Sequence, residues 1–98
     1  MNIRVSSRAR READKRDAWW RANRPEAVGL FTAELLDAIE LLKANPNLGQ
    51  VYEAVRFDVA VRRILMPGTE THLYHARVGN EVVVLAVWGA RRGRGPRL

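Results

Sequence analysis

The sequence predicts a single α+β domain: a strand, an antiparallel helical hairpin, then a three- or four-stranded, mainly antiparallel sheet. Three observations carry this. Glu81 to Trp88 is a continuous apolar run rich in β-branched residues, which fits a strand buried on both faces. Thr71 to Val78 alternates, and Gly79-Asn80 joins it to that run with a turn short enough for a hairpin. Between Arg8 and Leu42 the apolar positions recur near helical spacing, interrupted once at Arg24-Pro25.

Each element follows from its own residues. Asn2 to Val5 alternates, with Ile3 and Val5 on one face, and reads as an edge or second strand. Ser6-Ser7 can cap the helix that follows. From Arg8 to about Asn23 the small or apolar positions Ala9, Ala13 and Trp20 form a narrow stripe on a charged helix. Glu12 with Arg16 and Asp17 with Arg21 are acid-to-base pairs four residues apart, each stabilising by about 0.2–0.5 kcal/mol. Trp19 and Trp20 diverge by about 100° on a helix. One tryptophan therefore packs inward and the other covers a helix end or joins a partner surface, or else both are core-edge residues.

Pro25 suits the first turn of a second helix. Its stripe is Ala27, Leu30, Phe31, Leu35, Ala38, Ile39, Leu41 and Leu42, with Glu34, Asp37 and Glu40 on the outer face. Asn45-Pro46-Asn47-Leu48-Gly49 ends it with turn chemistry. Val55 to Asp58 reads as a short strand, Val59 to Met66 as a longer one, and Pro67-Gly68-Thr69 as a turn. In Thr71 to Val78, His72, Tyr74, Ala76 and Val78 share one face, while Leu73, His75 and Arg77 share the other. There is no internal repeat and no linker, so residues 1–98 read as one domain.

Composition narrows the chemistry. The chain has 98 residues and is 47% hydrophobic, ordinary for one small core. It has no cysteine, which excludes disulfides, a thiolate nucleophile and thiolate metal ligands. Two histidines give a zinc site little to build from, and no metal or cofactor is expected. No signal-peptide core and no apolar run near ~20 residues are present, so a cytoplasmic protein without membrane contact is expected. The formal net charge is +6 and it is segregated. Residues 1–24 hold eight Lys/Arg against three Asp/Glu, 25–55 hold one against five, and 56–98 hold eight against three. Two basic ends flank an acidic middle. Either a polyanion-binding face or a solvated basic surface accounts for that, and an acidic partner protein would use the same face as a nucleic acid.

Together these segments resemble the RelE/ParE superfamily of toxins from bacterial toxin–antitoxin modules. The resemblance rests on Trp19-Trp20 with Asn23-Arg24-Pro25, on Phe31 and Glu34-Leu35 leading to Asn45-Pro46 and Gly49, and on Arg62-Arg63-Ile64-Leu65 with Pro67 and Thr69. It continues through His72-Leu73-Tyr74 and Val83 to Trp88 with Gly89-Ala90-Arg91-Arg92-Gly93. It spans nearly the whole chain and is nearest to the ParE-like plasmid-stabilisation branch. The resemblance implies a toxin neutralised by a small, acidic cognate antitoxin, with operator DNA bound only through the antitoxin. It implies one of two targets: DNA gyrase, as for ParE-like members, or mRNA in the ribosomal A site, cut without a metal by RelE-like mRNA interferases. An inactive toxin-fold interaction module is a third reading.

Metal-free RNA cleavage needs a base for the 2′-hydroxyl, an acid for the leaving oxygen and a cation for the phosphorane. Here the candidates are His72, Tyr74 and Arg62, with His72 and Tyr74 on one strand face. In the plain structural alternative Tyr74 sits at the core edge, His72 is solvated, and Arg62 pairs with a carboxylate such as Glu81. RelE-like nucleases place a catalytic Tyr, or a His–Tyr pair, near the C-terminus, and this chain has neither after His75. It also lacks their lysine-rich helix. Both departures favour the gyrase reading, which needs only a surface. For that surface, facing target or antitoxin, the candidates are Trp19, Arg62, Arg63, His75, Arg91 and Arg92. Arg94 and Arg97, set among Gly93, Gly95 and Pro96, are expected to be mobile.

Overall fold

A computed structural model describes all 98 residues. In chain order the elements are β1 (Asn2–Val5), α1 (Ser7–Asn23), α2 (Leu30–Ala44), β2 (Gln50–Tyr52), β3 (Val61–Met66), β4 (Thr71–Val78) and β5 (Glu81–Gly89). They form a five-stranded sheet in the order β1-β5-β4-β3-β2. β1 runs parallel to β5 and the other pairs are antiparallel. The expected α+β architecture is the one observed. No helix is long and apolar enough to cross a membrane.

Ser6 caps α1, its side chain accepting from the Ala9 amide at 3.1 Å. β1 is shorter than β5, so the far half of β5 has an open edge, and α1 satisfies it. Ser6 Oγ donates to the Leu85 carbonyl at 3.3 Å, and the Val87 amide donates to Glu12 Oε1 at 3.0 Å. The second helix begins later than the proline suggests. Pro25–Ala27 is a single 3₁₀ turn, and Gly29, at φ +84°, separates it from α2. A left-handed residue cannot continue a right-handed helix, and glycine adopts it without strain.

Both helices cover one face of the sheet. Ala9, Phe31, Ala38 and Leu42 meet Met66, Leu73, Val82, Val84 and Val87 there. The opposite face carries a second apolar cluster: Val61, Tyr74, Ala76, Val83, Leu85, Ala86 and Leu98, flanked by Tyr52, Phe57 and Trp88. Leu85 and Ala86 both point to this second face, at a register shift where the pairing passes from Tyr74–Ala86 to His75–Val84. The extra residue is a β-bulge, and it inverts the alternation of β5 beyond it. Val87 therefore meets the helices and Trp88 the opposite side.

Three local expectations are corrected. The short extra strand is Gln50–Tyr52, not Val55 to Asp58, and Val55 is 95% exposed. Its partner starts at Val61 rather than Val59. Glu34 does not lie on a free outer face. Its carboxylate accepts from the Gly68 amide (2.6 Å), the Thr69 amide (2.8 Å) and the Thr69 hydroxyl (2.7 Å), holding the β3–β4 turn.

The arginine tail is not loose either. It folds back over the second apolar face. Tyr52 Oη donates to the Pro96 carbonyl at 2.6 Å, Trp88 Nε1 to the Arg94 carbonyl at 2.9 Å, and Arg8 to the Arg97 carbonyl at 2.7 Å. The Val55 amide donates to Leu98 O at 2.8 Å, and the Leu98 side chain is buried. Apolar area hidden by Pro96 and Leu98 explains why a glycine-punctuated segment settles.

Candidate functional site

Two basic clefts meet at Gly89 and Arg92, which line both. The smaller, about 250 Å³, opens where the C-terminal end of β5 passes β4 and β3. Strand register sets its walls: Arg63 stands opposite Tyr74, and His72 opposite Trp88. The His72 and Tyr74 rings lie edge to face with centroids 6.1 Å apart. Arg63 Nη1 donates to Tyr74 Oη at 3.2 Å, and its guanidinium sits 5.8 Å from the Tyr52 ring centroid. Arg92 covers the Trp88 ring at 4.1 Å, a cation–π contact. The tail contributes Arg94 to the rim.

The electrostatics of this cleft follow from burial and from crowded cations. Burial lowers the pKa of His72, and the Arg63 charge lowers it further. His72 is thus neutral at neutral pH and can accept a proton. Tyr74 is fully buried, and its oxygen is held by Arg63. It packs the cleft floor and is not open to a substrate.

The larger cleft, about 550 Å³, lies between the C-terminal half of α1, the β3–β4 turn and the end of β5. Arg16 crosses its base, donating to Thr71 Oγ1 at 2.8 Å and to the Thr69 carbonyl at 2.9 Å. Both acceptors are neutral. Burial, then the nearby Arg92 charge, lowers the Arg16 pKa, with Glu70 acting weakly the other way. Glu70 is paired with Arg91, which donates from Nη2 to Oε1 at 2.9 Å. Trp19 is 49% exposed and stands edge to face with Trp20, centroids 5.6 Å apart. Trp20 packs against the core, so the pair divides as helical geometry requires.

The expected catalytic set does not assemble. His72 and Tyr74 come together, but Arg62 points to the other side of the sheet, where it donates to the Gly49 carbonyl at 3.0 Å. Neighbouring strand residues face opposite ways, so the cation beside Tyr74 is Arg63. Arg62 does not pair with Glu81 either, since Glu81 is taken by Arg4 at 3.3 Å. His75 is 1% exposed and lines neither cleft. Trp19, Arg63, Arg91 and Arg92 line the two clefts. Arg16, Arg24 and Arg94 were not anticipated. Arg16 and Trp20 lie four residues apart on α1 and Arg24, four further on, caps its end, and that spacing is the signal that reveals two of them. No group of His, Asp or Glu side chains is placed to hold a metal ion.

The fold of this chain is also that of solved toxin–antitoxin proteins. A chain of the chromosomal ParDE toxin–antitoxin system from P. aeruginosa superposes with a TM-score of 0.76 at 16% identity, covering 93% of this chain and 97% of that one. The YoeB dimer from Staphylococcus aureus gives a TM-score of 0.55 at 13% identity, covering 90% of this chain and 94% of the other. No protein-family model and no curated protein matches the sequence. The RelE/ParE-like fold implied by the sequence resemblance is therefore the fold of this chain.

Proposed function

We propose that the chain is the toxin component of a bacterial type II toxin–antitoxin system, ParE-like, which acts on DNA gyrase in the cytoplasm and is neutralised by a small, acidic cognate antitoxin. The observation that carries this is the near full-length likeness to the ParDE chain, 0.76 against 0.55 for YoeB. The site geometry supports a binding role over RNA cleavage. Tyr74 is buried, which leaves His72 without an accessible acid beside it. Trp19, Arg63, Arg91 and Arg92 form the surface offered to target or antitoxin, and operator DNA is reached through the antitoxin. The test is a supercoiling assay with purified gyrase and excess protein. Inhibition that added antitoxin reverses is expected, and intact supercoiling sinks the proposal.

One observation favours a second reading, ribosome-dependent mRNA cleavage. A neutral His72 lies in one cleft with Arg63, Arg92 and Arg94. On that reading, induction cleaves mRNA at translated codons and His72→Ala stops it. An inactive module instead produces no growth defect when induced without antitoxin.

A further inference from the structure

The larger cleft gathers positive charge that the protein does not neutralise. Arg16, Arg24, Arg91 and Arg92 line it, against one carboxylate, Glu70, which Arg91 already engages. Arg16 spends its hydrogen bonds on a hydroxyl and a carbonyl, and Arg92 lies on the Trp88 ring. Arg24 and Arg92 form no ion pair. Bringing like charges together, one of them partly desolvated, raises the energy of the cleft unless an anion enters it. The same walls carry two indoles. Trp19 leaves about half its surface open, and Trp20 Nε1 is a buried donor without an acceptor. A planar group can stack on the first. The cleft's size falls within the range of small-ligand sites.

We propose that this cleft binds a phosphorylated nucleoside, its phosphate between Arg24 and Arg92 above Arg16 and its base against Trp19. Guanidinium groups match phosphate oxygens in bidentate geometry, and tryptophan gives the base a sequence-tolerant platform. An acidic peptide would use the arginines but not the exposed indole face. A partner helix would need an apolar groove, and one lies elsewhere, between α2 and β3, lined by Ala38, Leu41, Ile64 and Leu65. The ligand is either a free nucleotide or the phosphorylated end of a single strand. The inference does not depend on which target the protein attacks.

Calorimetric titration of the full chain tests it, with adenosine 5′-monophosphate, adenosine, a 5′-phosphorylated hexanucleotide and hexaglutamate as probes. The monophosphate is expected to bind saturably, and adenosine at least about tenfold more weakly. Trp19→Ala, Arg24→Ala and Arg92→Ala are each expected to weaken binding about tenfold or more without changing the melting temperature. Trp19 and Arg24 are exposed, so those two variants fold whatever the cleft does. Hexanucleotide binding tighter by about tenfold identifies a strand end, and equal affinity a free nucleotide. No saturable binding by ~10 mM, indifference to the Trp19 and Arg24 variants, or hexaglutamate binding as tightly as the monophosphate each overturns the proposal.

Discussion

His75 illustrates what a single buried titratable group does in this fold. It is buried under the Asn45–Gly49 segment, and neither ring nitrogen has a hydrogen-bond partner. Burial lowers its pKa, the Leu48 backbone beside it offsets part of this, and the Arg62 charge lowers it slightly further. The imidazole is therefore neutral in the folded state when the unfolded chain has begun to bind a proton. The unfolded state then holds more protons, so stability is complete above the unfolded pKa near 6.5 and falls as pH drops below it. The slope is at most about 1.4 kcal/mol per pH unit for this one group, down to the depressed folded pKa. Urea midpoints at pH 7.5 and pH 5.5 are expected to differ, and His75→Leu to remove most of the difference. Equal loss in wild type and variant would assign the effect elsewhere. His72 shifts in the same direction, but its exposure makes its share smaller. Glu34 makes the opposite point, a charge fully used. Its loss in Glu34→Ala strands the Gly68 and Thr69 amides and the Thr69 hydroxyl, and about 2 kcal/mol of stability is expected to go, measured by denaturant unfolding. Glu34→Gln is expected to lose less, because its carbonyl still accepts.

At the scale of elements, the tail and the end of β5 shape the smaller cleft. Gly95 passes so close to Tyr52 that any added Cβ would overlap its hydroxyl and ring. Gly95→Ala is expected to lift the tail at a cost of about 1–3 kcal/mol. Amide exchange should quicken at Val55, whose amide donates to Leu98 O, and stay slow in β4 and β5. Unchanged exchange at Val55 would mean that the tail is not held as described. The sequence disclosed β4, β5, both helices and β1, because long periodic or apolar segments report burial directly. It hid three things. The bulge at Leu85-Ala86 leaves no trace in a strand whose two faces are both apolar, so the side on which Trp88 emerges could not be read. The docked tail resembles a linker in composition, and its anchors, Tyr52 and Trp88, act only through tertiary contact. The pair Arg62-Arg63 was ambiguous because a strand splits neighbours between faces, and only register tells which one joins Tyr74.

At the scale of the whole molecule, the fold brings the two basic ends of the sequence to the same place. α1 lies along β5, so Arg8 reaches Trp88 and the Arg97 carbonyl, and Arg16 lies beside Gly89 and Arg92. Charges far apart in the chain thus converge around the end of one strand, while the acidic middle lies largely on α2. A net charge of +6 with a positive cluster at this corner speeds encounter with an acidic partner more than it tightens the final complex. On the proposed function, the association rate with the acidic antitoxin is expected to fall by about tenfold between ~50 and ~500 mM salt, where the Debye length shrinks from roughly 14 to 4 Å. The dissociation rate should change by less than about threefold, since packed contacts are screened little. Charge reversal at the shared corner, Arg92→Glu, is expected to slow association at low salt and to flatten the salt dependence. The same reversal at Arg77, exposed at the other end of β4, should do much less. Stopped-flow mixing with the antitoxin reads both rates, and equal effects from the two reversals would mean that total charge, not its convergence at Gly89 and Arg92, governs the encounter.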